Sequence, residues 1–68
     1  MDDEALNNSI RKFLRTVGVN SQREIEQAVA KALQQGALAG HETLPATMTL
    51  SIPSLQLQVS FDGEVKLQ

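Results

Sequence analysis

The chain has a single histidine, His41, and an acid, Glu42, stands next to it, the smallest pairing from which general acid–base chemistry could be built. Such chemistry needs a third group to attack or to orient. The serines Ser9, Ser21, Ser51, Ser54 and Ser60 offer hydroxyls, yet none sits in the glycine-flanked strand-to-helix turn that exposes a nucleophile. There is no cysteine to join His41 on a metal, and no glycine-rich loop spaced to cradle a phosphate. The acids Asp2, Asp3 and Glu4 suit the start of a helix, and Asp62 and Glu64 flank Gly63, where aspartate suits a turn. No catalytic residue, cofactor or metal ligand is therefore expected, and the chain reads as non-enzymatic.

The remaining chemistry is recognition. Arg11, Lys12 and Arg15 hold half of the six basic side chains and would lie on the exposed side of a first helix. With Arg23 they could meet phosphates, which gives weak nucleic-acid binding as the alternative function. Glu24 and Glu26 beside Arg23 oppose that approach, and so does the net charge of −2. The run Ala46–Ile52 is different in kind, because it has strand spacing and no charged residue. Edge strands are normally defended by lysine, inward charge or a bulge, whereas this one is only bracketed by Pro45 and Pro53. The candidate interaction surface is accordingly Thr47, Thr49 and Ser51 along that edge, with Arg11, Lys12 and Arg15 on the helix. The expected function is a small protein-interaction module, homodimeric through strand 46–52 or docked on another protein.

The elements that must position these residues follow from spacing. Leu6, Ile10, Phe13, Leu14 and Val17 make one helical stripe, and Gly18 with Val19 matches a left-handed stop. Ser21 and Glu24 have capping-box spacing, and Ile25, Ala28, Val29, Ala32 and Leu33 form a second stripe that ends at Gly36. The period then changes to two. Ala46, Met48, Leu50 and Ile52 alternate with polar residues, as do Leu55, Leu57, Val59 and Phe61. A two-residue turn at Pro53-Ser54 would set Ile52 opposite Leu55. Keeping Val65 and Leu67 on the apolar face would then require an odd-length loop at Asp62-Gly63.

The expected fold class is α+β, in the order ααβββ. A two-helix hairpin, with helices about 3–17 and 22–35, covers one face of a three-stranded antiparallel meander with strands about 46–52, 55–61 and 64–67. Residues 36–45 form the crossing loop, and the whole makes a single domain, 1–68. At 68 residues such a domain buries only about 60% of its unfolded surface, so stability is marginal without disulfide or metal. No run approaches a membrane span and no basic apolar leader opens the sequence, which suits a cytoplasmic protein.

The segments Ser9–Leu14, Val17-Gly18-Val19, Ser21–Glu26, Glu42–Ala46 and Asp62-Gly63-Glu64 together resemble a family of small uncharacterised bacterial proteins, a domain of unknown function. Ala37 and Ala39 are plainer than the polar residues expected at those places. The resemblance implies a bacterial intracellular setting and brings no activity, cofactor or site residue with it.

Overall fold

The computed structural model describes all of residues 1–68 as one helix, α1 (Asp3–Gln34), followed by a hairpin of two strands, β1 (Thr43–Ile52) and β2 (Leu57–Lys66). They fall into two compact units, Met1–Ala37 and Leu38–Gln68. The two-helix, three-stranded arrangement expected from the sequence is thus corrected at both of its inner breaks.

The first correction is at Gly18. α1 passes through Gly18, Val19, Asn20 and Ser21 as one helix of 32 residues, about 48 Å long. The polar side chains around it bond back into the helix: Thr16 Oγ1 donates to the Lys12 carbonyl at 3.0 Å, and Asn20 Nδ2 donates to the Thr16 carbonyl at 2.8 Å. A glycine in a helix interior costs about 1 kcal/mol relative to alanine, and the residues beyond it through Gln34 offset that with continued hydrogen bonds. Ser21 is accordingly an interior residue and not a cap.

The true ends are strongly marked. Asp2 Oδ1 accepts from the Glu4 and Ala5 amides at 3.0 and 3.2 Å, with Asp3 and Glu4 adding charge to the first turn. At the other end Gly36 has φ 74°, the Gly36 amide donates to the Leu33 carbonyl at 3.2 Å, and the Ala37 amide donates to the Ala32 carbonyl at 2.9 Å. That is a Schellman stop at the glycine where the sequence indicated one. Only Ala37, Leu38 and Ala39 separate it from Gly40, too few residues to offset the cost of continuing.

The second correction is in the sheet, which has two strands. β1 and β2 pair antiparallel from Thr43↔Lys66 to Ile52↔Leu57, without a bulge. β1 begins three residues earlier than expected, so Thr43, Leu44 and Pro45 belong to strand and not to the crossing loop. β2 runs unbroken through Asp62-Gly63, where the odd-length loop was expected; Gly63 lies opposite Ala46. The apolar residues at 57, 59, 61 and 65 share one parity, and an uninterrupted strand keeps them on one face as well as an odd loop would. The reversal occupies Pro53–Gln56. A 3-10 turn over Pro53–Leu55 is closed by Gln56 in the left-handed region, φ 52° and ψ 35°, whose amide donates to the Pro53 carbonyl at 3.0 Å. Ile52 is therefore opposite Leu57, and Leu55 sits in the turn, 68% exposed.

One hairpin face carries Leu44, Ala46, Met48, Leu50 and Ile52 against Val65, Gly63, Phe61, Val59 and Leu57; the other is polar. No residue of the chain is buried, and the nearest to it are half-buried positions such as Val17, Val29, Leu44, Leu50 and Val65.

Candidate functional site

Glu42 is held by the backbone before it. Its Oε2 accepts from the Ala39 amide at 2.8 Å, and its Oε1 accepts from the Gly40 and His41 amides at 2.9 and 3.1 Å. Gly40, at φ 105°, provides the bend that turns these donors onto one carboxylate. The Glu42 carbonyl also accepts from the Leu67 amide at 3.0 Å, which continues the ladder one pair beyond Thr43↔Lys66. The Ala39 and Gly40 amides, opposed by desolvation and helped to a smaller extent by the Glu42 and His41 amides, lower the Glu42 pKa from its ordinary 4.5 to about 2. Both oxygens of the acid beside His41 are thus engaged by main chain, and His41 itself is exposed. No group of three or more histidine and acidic side chains is placed to hold a metal ion.

The depressed Glu42 pKa fixes a pH dependence. A carboxylate whose folded value lies below its unfolded value stabilises the folded loop at every pH above about 4.5, and that contribution is lost as pH falls towards about 2. The amide resonances of Ala39, Gly40 and His41 should therefore move together in an acid titration with a midpoint near 2. A midpoint near 4.5 would show that the three bonds do not form, and Glu42→Gln should abolish the transition altogether.

The expected edge residues are brought together on β1. The Leu67-to-Glu42 bond marks that pair as a hydrogen-bonded one, and in an antiparallel ladder such pairs alternate with pairs whose main-chain groups point outwards. The outward set on β1 is Thr43, Pro45, Thr47, Thr49 and Ser51. Pro45 thus places its missing N–H on the free edge, where it breaks no ladder bond. The outward pairs also have the closer side chains. Thr47 Oγ1 donates to Asp62 Oδ1 at 2.9 Å, and the hydroxyls of Thr49 and Ser60 are 2.9 Å apart. On β2 the outward residues are Gln58, Ser60, Asp62, Glu64 and Lys66, so three charges guard that edge and none guards β1.

The basic candidates Arg11, Lys12 and Arg15 lie on exposed turns of α1 and are remote in sequence from the hairpin. Because the helix is continuous, Arg23 joins them within an arc of about 120°, at about 100° per residue. Glu4 and Glu26 lie in the same arc. Spacing had not revealed the role of Glu42; its only sequence signal is an acid two residues after a glycine.

A family model covers residues 1–68, the whole of the chain described above. The chain belongs to DUF6494, a family of unknown function. The resemblance carried by Ser9–Leu14, Ser21–Glu26 and Glu42–Ala46 thus holds over the full length. No curated protein and no solved structure matches the chain. No helix of this DUF6494 member is long and apolar enough to cross a membrane.

Proposed function

We propose that this chain is a non-enzymatic interaction module that associates with a second copy through the outer edge of β1. The observation that supports this reading most directly is the asymmetry of the hairpin edges. The main-chain donors and acceptors of Thr47, Thr49 and Ser51 face outwards from a ten-residue strand with no charged side chain, while the β2 edge carries Asp62, Glu64 and Lys66. A twin strand satisfies those groups and enlarges a two-stranded sheet, which alone is only marginally stable in water.

Sedimentation at micromolar concentration tests the reading. Ser51→Pro deletes one outward N–H and leaves the bonds to β2 in place, as Pro45 does naturally. It is expected to weaken self-association at least about tenfold. Gln58→Pro, the matching change on the outer edge of β2, should leave association unchanged. Equal effects of the two, or a monomer in the unaltered protein, would remove this reading.

A second reading rests on the arc shared by Arg11, Lys12, Arg15 and Arg23 on one continuous helix, which suits weak binding to nucleic acid. Its signature is affinity for a mixed-sequence duplex that falls steeply with added salt; no binding at low salt removes it.

A further inference from the structure

Two prolines set the limits of pairing along the free edge of β1. Once a second strand joins that edge, β1 becomes an inner strand, where a proline facing the partner deletes a ladder bond and sets its ring against the opposing chain. Pro45 faces outwards and Pro53 begins the turn, so the stretch free to pair is residues 46–52. Each proline stands four residues from Thr49, the centre of that stretch. The stretch has no charged residue, so no like charges meet when it lies against a reversed copy of itself.

We infer that two copies join β1 to β1, antiparallel about a two-fold axis at Thr49, into a four-stranded sheet in the order β2-β1-β1-β2. This rests on the proposal that the module self-associates through this edge, and it fixes the register. Position i then lies opposite position 98 − i of the twin. Thr49 meets Thr49, and on either side of it Thr47 meets Ser51, three outward-facing pairs that each exchange two main-chain bonds. Pro45 falls opposite Pro53, beyond the last of these pairs. An axis at Thr47 or Met48 would instead bring Pro45 against Thr49 or Ser51 and leave a carbonyl there without its donor. An axis at Leu50 would keep two of the three pairs. The faces agree as well. Met48 lies opposite Leu50 of the twin and Ala46 opposite Ile52, all on the apolar side of the joined sheet. Parallel pairing of the same two edges would turn one copy over and put the apolar faces on opposite sides.

The chain has no cysteine, so disulfide trapping is free of background. Met48 and Leu50 of the twin would form a closely spaced pair, with Cα atoms about 4.5 Å apart and within reach of a disulfide. Like positions would be diagonal neighbours about 7–8 Å apart, too far to bridge. Met48→Cys and Leu50→Cys proteins are prepared separately, mixed and oxidised. The Thr49 register predicts a disulfide-linked heterodimer in the mixture and little link in either protein alone. A link formed by Met48→Cys alone or by Leu50→Cys alone overturns the register, and so does a dimer without the mixed link. Hydrogen exchange on the unaltered protein provides a check without substitutions. Between monomer and dimer concentrations, the outward amides of Thr47, Thr49 and Ser51 should slow at least about tenfold while that of Thr43, beyond Pro45, stays fast. Slowing of Thr43 with the other three overturns the register and leaves edge association standing. A monomer, or a dimer in which those three amides stay fast, overturns both.

Discussion

Val19→Pro is expected to destabilise the protein by about 3 kcal/mol or more and to remove a large part of its helical circular-dichroism signal. Val19 lies in the middle of α1, and its side chain is 53% exposed and off the apolar stripe, so the loss comes from the backbone. A proline there deletes one helical hydrogen bond and drives its ring into the preceding turn. A helix that stopped at Gly18 would accept proline one residue past its end almost without cost, and an unchanged signal would therefore contradict the continuous helix. Gly18→Ala tests the same point with the opposite sign. Gly36 and Gly40 are the glycines with positive φ, Gly18 is not among them, and a Cβ built on Gly18 meets nothing within 4 Å. The substitution should add about 0.5–1 kcal/mol, whereas Gly36→Ala, at φ 74°, should cost about as much or more.

Gly63→Val should stabilise the hairpin by about 0.5–1 kcal/mol, seen as a rise of several degrees in the melting temperature at fixed protein concentration. Gly63 lies within β2 opposite Ala46, its φ is not positive, and an added Cβ there meets nothing within 4 Å. Valine would therefore gain strand propensity and a cross-strand contact on the apolar face. Were Asp62-Gly63 a turn requiring left-handed backbone, the same change would cost about 1–2 kcal/mol, so the two arrangements predict opposite signs.

Those two glycines show where sequence reasoning succeeds and where it stops. Helical period, strand alternation, the N-terminal acids and the stop at Gly36 are all carried by residues that interact locally, and all are legible in the sequence. Gly18 and Gly36 are the same residue, and each follows an amphipathic helical stretch. What separates them is how many helix-compatible residues follow, a cooperative quantity that no single motif records. In the hairpin, the faces were legible because parity is a strict rule. Parity cannot separate a two-residue turn from the four residues Pro53–Gln56, nor an odd loop from no loop at Asp62-Gly63. Gln56 adopts a left-handed conformation without being glycine, which removed the usual marker of the turn. Thr47, Thr49 and Ser51 belong to an uncharged run that the sequence displays on its own. Their sharing one outward-facing edge required the register, as did the role of Glu42.

Each unit carries an apolar face of its own. Phe13, Leu14, Met48 and Phe61 are each close to half exposed or more, and no residue in either unit is buried. A helix draws most of its stability from packing an apolar face, and a two-stranded hairpin has little of its own. On the proposed self-association, folding stability comes largely from the second copy, which makes it depend on concentration. The direct measurement is thermal unfolding over a roughly hundredfold range of protein concentration, with the mass in solution determined alongside. The melting temperature is expected to rise by several degrees across that range while the mass moves from one chain to two. A cooperative transition at one temperature throughout, with the mass of a single chain, would contradict it.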